Sequence, residues 1–72
     1  MTREEIKNTN YGDYFETLIE IIQPTEPQIE LLANWWSKTG VFEYCRLKQQ
    51  RDFNLLRVMG DLKNLALEVL NG

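Results

Sequence analysis

The chain predicts an all-α fold: a small bundle of three to four helices forming a single helical domain over residues 1–72. Three observations carry this. Leu and Glu are the commonest residues, ten and eight of 72, and both favour helix. Apolar residues recur at i, i+3, i+4, i+7 in separate stretches, the signature of amphipathic helices. The one run of β-like composition, Val41-Phe42-Glu43-Tyr44-Cys45, has no second run to pair with, and a lone strand would leave its backbone groups unpaired. The expected bounds are 13–22, 26–39, 41–51 and 53–70, with 41–70 as one long helix the alternative.

Residues 1–12 are expected to be a short helical turn or a flexible arm. Thr2-Arg3-Glu4-Glu5 has the form of a capping box, but Asn8-Thr9-Asn10-Tyr11-Gly12 is a cluster of turn residues. Asp13 is then placed to cap a helix whose inner positions are Phe15, Leu18, Ile19 and Ile22, with Glu16 and Glu20 outward. Gln23-Pro24 ends it, because the residue before proline is pushed out of the helical region. Thr25-Glu26-Pro27-Gln28 is the strongest local signal: a capping threonine, a proline in the first turn and a glutamine to close the box. Ile29, Leu32, Ala33 and Trp36 form the stripe that follows, and Gly40 is well placed to stop it.

Beyond Gly40 there is no proline. Leu55, Met59, Leu62, Ala66 and Val69 are spaced 4, 3, 4, 3, with Leu56, Leu65 and Leu70 widening the stripe. The rhythm passes through Gly60 without a phase shift, which places Gly60 inside the helix, at a close helix–helix crossing. Residues 55–70 carry more apolar side chains than one core-facing stripe needs. A chain this short covers one face of that helix with its earlier segments but hardly two, so a homodimer through Leu56, Gly60 and Leu67 is expected. In the counter-reading, 41–51 folds back over the second face.

Composition excludes much. At 72 residues, the core supplies only about 3–5 kcal/mol without a disulfide, metal or partner. The single cysteine, Cys45, forms no intrachain disulfide, and the absence of histidine removes His-based catalysis and ligation. Glu16 with Glu20, and Glu26 with Glu30, are spaced four apart as ordinary wet-face carboxylates are. Cys45, although near Arg46 and Lys48, reads as a small buried thiol. No glycine-rich phosphate loop occurs. The expectation is a non-enzyme with no cofactor and no metal. No apolar run approaches the roughly 18 residues of a membrane span, the polar start is unlike a signal peptide, and an unpaired thiol without a glycosylation sequon suits the cytoplasm. Met1 reads as a natural start, and the chain as a complete small protein.

Charge is divided unequally. Residues 1–36 carry a net −5 and residues 37–72 a net +2, within an overall −3. Mutual attraction of the two halves is one explanation. The other is that the basic segment 46–57, with Arg46, Lys48, Arg51 and Arg57, meets an acidic partner or phosphate. A helix-turn-helix fits poorly. With the turn at Gly40, Trp36 occupies the small-residue position and Arg46 and Gln49 face the core; with the turn at Gly60, Leu56 and Asp61 are misplaced. Nucleic acid is therefore disfavoured, also because an acidic chain gains little from counterion release. Trp35 and Trp36 are adjacent and point about 100° apart on a helix, so one stripe does not bury both. With Trp, Tyr and Arg enriched at binding hot spots, the expected partner-binding surface is Trp35, Lys38, Phe42, Tyr44, Arg46, Lys48 and Arg51. The reading is a small protein-binding regulator, adaptor or inhibitor. A nucleic-acid-binding regulator and a structural homo-oligomer are its alternatives.

Overall fold

The computed structural model describes all of residues 1–72. It contains helices and no strand: α1 Arg3–Lys7, α2 Gly12–Ile22, α3 Glu26–Trp35, α4 Val41–Lys48 and α5 Leu55–Asn71, with a π-helical turn, Trp36–Gly40, between α3 and α4. The all-α bundle read from the sequence is the fold.

Residues 1–12 are not an arm. The Thr2 hydroxyl accepts from the Glu5 N–H at 3.3 Å and the Glu5 carboxylate accepts from the Thr2 N–H at 3.0 Å, which starts α1 and sends Ile6 into the core. Arg3 then donates through Nε and one terminal nitrogen to the two carboxylate oxygens of Glu16, at 2.9 and 3.0 Å. This fork ties α1 to α2. The Arg3 hydrogen bond holds the Glu16 carboxyl below its ordinary range. Gly12 completes the corner: a Cβ there would overlap the Ile6 carbonyl oxygen and the Lys7 Cα of α1.

Asp13 does not cap α2. The helix begins one residue earlier, with Tyr11 at the cap position and no side-chain cap; Asp13 lies in the first turn, where its charge still suits the helix dipole. The inner stripe is as expected, Phe15, Leu18 and Ile19 being buried. Gln23 ends the helix in the left-handed region, φ 53° and ψ 56°, a conformation that costs a non-glycine residue about 1–2 kcal/mol. At the start of α3 the Gln28 side chain accepts from the Thr25 N–H at 2.9 Å.

Of the two expected breaks, one is absent and the other is wider than read. Gly40 does not stop a helix. Its φ of −59° and ψ of −44° are helical, and Glu26 to Lys48 is one rod of 23 residues, roughly 33 Å long at 1.5 Å per residue. The reason is burial on both sides of the glycine: Trp36, Gly40, Tyr44 and Leu47 all face the core. The two four-residue intervals from Trp36 to Gly40 and Gly40 to Tyr44 outrun the 3.6-residue turn, and the π turn takes up the difference. The Val41 N–H reaches back five residues to the Trp36 carbonyl, and the Ser37 hydroxyl donates to the Ala33 carbonyl at 2.9 Å, a back-bond that bends helices.

The real break is at 49–54, so 41–70 is not one helix. Lys48-Gln49-Gln50-Arg51-Asp52 has nothing to bury, and α4 ends at Lys48 rather than at 51. Helix α5 starts at Leu55 rather than 53, with the Asn54 side chain accepting from the Arg57 N–H at 3.2 Å. From there α5 returns along the rod and packs on α2, α3 and α4 together. Segment α4 packs on α5, as the counter-reading had it, while Leu55 and Leu56 stay exposed and Leu67 only half-buried. Phe15, Leu18, Leu32, Trp36, Tyr44 and Leu62 form the fully buried centre, and Phe15 meets Trp36 ring to ring at 5.5 Å.

Candidate functional site

The hairpin formed by α4, the 49–54 turn and the start of α5 differs from the rest of the surface. Residues 42–57 contain four of the eight Lys and Arg side chains and, in Phe42, Phe53, Leu55 and Leu56, four of the seven large apolar side chains left exposed. Leu56, at 85% exposure, is the most exposed apolar residue of the chain, followed by Phe42 at 65%. The Asn54 cap starts α5 at Leu55, and Val58 and Met59 are the first of its residues to be buried, so Leu55 and Leu56 in its first turn are left exposed.

The basic residues are held differently from one another. Arg46 donates to Glu43 at 2.7 and 3.2 Å, and Arg57 lies 3.8 Å from Asp52. Glu43 holds the Arg46 guanidinium above its ordinary value. Lys48 and Arg51 have no carboxylate partner; the Lys48 ammonium lies over the Tyr11 ring, 5.5 Å from its centre, a modest cation–π contact. No ion pair joins the acidic half of the chain to the basic half, so attraction between the halves leaves no direct bridge.

Tyr44 is the clear correction to the expected surface. It is fully buried, stacked on Tyr14 at 4.4 Å and tilted against Tyr11 at 5.4 Å. Burial first, and the Tyr14 hydroxyl second, push its phenol above the ordinary tyrosine range. On an unbroken α-helix Tyr44 would lie about 80° from Trp36, at 100° per residue. The extra residue in the π turn swings Tyr44 back onto the buried stripe and Phe42 outward. That displacement is invisible to a fixed-period reading. Trp36 is buried and Trp35 half-buried over Gly40, so the pair belongs mainly to the core, and Lys38 is exposed beside it.

Of the expected dimer residues, Leu56 is bare, Gly60 is open and Leu67 is half-buried. Gly60 lies inside α5 as read, but no atom lies within 4 Å of where its Cβ would be, so it makes no crossing within the chain. The missed surface residues are Phe53, within the expected helix 53–70, and Leu55, placed on its core stripe; both are exposed, and α5 starts only at Leu55. Cys45 is a free, half-buried thiol, and Glu16 is engaged by Arg3. A helix-turn-helix at Gly40 is excluded, because no turn occurs there. No helix is long and apolar enough to cross a membrane.

No protein-family model matches the chain, and neither a curated protein nor a solved structure resembles it significantly.

Proposed function

We propose that the protein acts by binding another protein, as a small non-enzymatic regulator, adaptor or inhibitor in the cytoplasm, with the 42–57 hairpin as its contact surface. The observation that supports this most is Leu56, 85% exposed within a segment that also carries the exposed Phe42, Phe53 and Leu55 and the cations Arg46, Lys48, Arg51 and Arg57. Bare apolar groups within a polar rim are the make-up of interfaces, and Arg and aromatic residues supply their hot spots. The nucleic-acid reading is less favoured, since Arg46 and Arg57 already face carboxylates within the chain.

The test is photo-crosslinking in the host cell from position 56 or 42, with position 20 on the wet face of α2 as control. A defined protein captured from 56 and 42, absent from 20 and lost from position 42 in Arg51→Gln/Leu56→Gln, is the expected result. Crosslinks to nucleic acid alone, or the same pattern from all three positions, overturn it.

A further inference from the structure

At the other end of the rod lies a groove of about 380 Å³ between α1 and the first turns of α3. Met1, Ile29 and Ala33 give it an apolar floor, and Glu4, Glu26 and Glu30 stand at its rim. The one guanidinium at the groove, that of Arg3, is committed to Glu16 at 2.9 and 3.0 Å. None of the three rim carboxylates has an ion-pair partner. Even with Arg3 and the Met1 amine counted against Glu16 and the rim, the groove is negative. The 42–57 hairpin carries a net +2 and the exposed Leu55, Leu56 and Phe53.

The two surfaces answer each other in kind: an apolar floor with an anionic rim at one end, an apolar tip with a cationic rim at the other. Lys48 and Arg51, the two cations of the hairpin without a carboxylate, face a need that Glu26 and Glu30 share. The hairpin cannot reach its own groove, because the rod from Glu26 to Lys48 holds them apart, on a molecule 36 Å in its longest dimension. Resting on the reading of the hairpin as a protein-contact surface, we propose that a second copy of this chain occupies it, the hairpin tip of one copy seating in the α1–α3 groove of the next. The contact joins two different patches, so it is heterologous. It also covers the tip, and self-association and partner binding exclude each other.

The test uses the full chain in sedimentation equilibrium at ~0.5 mM, a concentration suited to a weak contact. The natural chain is expected to sediment above 8.6 kDa at low salt and to lose about tenfold or more in association constant as salt rises and the Debye length shrinks from ~30 Å to ~3 Å. Two exposed-site variants separate this arrangement from any other. Arg51→Gln/Leu56→Gln disables the tip and Glu26→Gln/Glu30→Gln disables the groove. Each alone is expected to be a single chain, while their equimolar mixture forms a two-chain complex, the intact groove of one holding the intact tip of the other. Circular dichroism verifies that both variants stay helical. A natural chain that remains 8.6 kDa at low salt, or variants that associate as well alone as mixed, overturns the proposal. The two readings fail separately: crosslinks to a host protein from position 56 in a monomeric chain uphold the function and sink the self-assembly. A tip-to-groove complex with no host protein at position 56 does the reverse.

Discussion

Gly40 and Gly60 both lie inside helices, yet the chain uses them in opposite ways. At Gly40 a Cβ would come within 2.9 Å of ring atoms of both Trp35 and Trp36. The missing side chain is what lets the two indoles pack around a helix that continues beneath them. At Gly60 there is nothing within 4 Å, and the glycine only weakens α5 by its backbone freedom. One glycine is required by packing, the other merely tolerated. A glycine's meaning therefore comes from what surrounds it in space, not from its place in a helical pattern.

The comparison can be broken most forcefully at the rings. Trp36→Ala should cost about 3–5 kcal/mol, as large aromatic truncations do, which is comparable with the whole stability expected for a chain of this size. Loss of the cooperative unfolding transition in urea is the expected observation. A variant that unfolds near the natural midpoint would show that the rings are not what Gly40 serves.

Next comes Gly40→Ala. The overlap with two indoles costs about 1–3 kcal/mol, against about 1 kcal/mol gained from the better helix propensity of alanine. A net loss of up to roughly 2 kcal/mol in urea denaturation follows from those two figures. Trimming the neighbouring ring in Trp35→Leu/Gly40→Ala should recover part of it, a coupling that a double-mutant cycle measures.

Gly60→Ala has the opposite sign. It should stabilise the chain by about 0.5–1 kcal/mol, raising the melting temperature by several degrees. A destabilised Gly60→Ala would mean that α5 is closely covered at that point, and would abolish the contrast.

The smallest effect lies at the α1–α2 fork and depends on pH. Arg3 depresses the Glu16 carboxyl, so its contribution is fully present above the unfolded value of about 4.5 and is lost as pH falls through the lower folded value. Both side chains are partly exposed, which limits the contribution to about 1 kcal/mol or less. Urea midpoints of the natural chain and Glu16→Gln should differ by that amount at pH 6 and converge near pH 3. An unchanged difference at both pH values would assign the effect to packing instead.

Local signals in this chain were legible where they are complete within a few residues. The capping residues Thr2 with Glu5 and Thr25 with Gln28, the stripes Phe15-Leu18-Ile19 and Ile29-Leu32-Ala33-Trp36, and the helical Gly60 all follow from short-range chemistry. The basic and aromatic residues of 42–57 could also be singled out by type, and Leu56 by its place off the main stripe. Tyr44 could not be placed, because its direction depends on one residue of register absorbed by the π turn.

By itself, then, the sequence determined the fold class, the caps at Thr2 and Thr25, the greater part of the core and the segment rich in basic and aromatic side chains. Those depend on periodicity and on caps, which act over one or two turns. Tertiary structure alone decided that the helix runs through Gly40, that the break after it widens to 49–54, that Tyr44 is inside, and that α5 packs on three neighbours. Each of these is settled by which long-range burial is worth more: keeping Trp36, Gly40, Tyr44 and Leu47 on one face outweighs the intrinsic tendency of a glycine to end a helix, while the polar run after Lys48 has no burial to hold it straight.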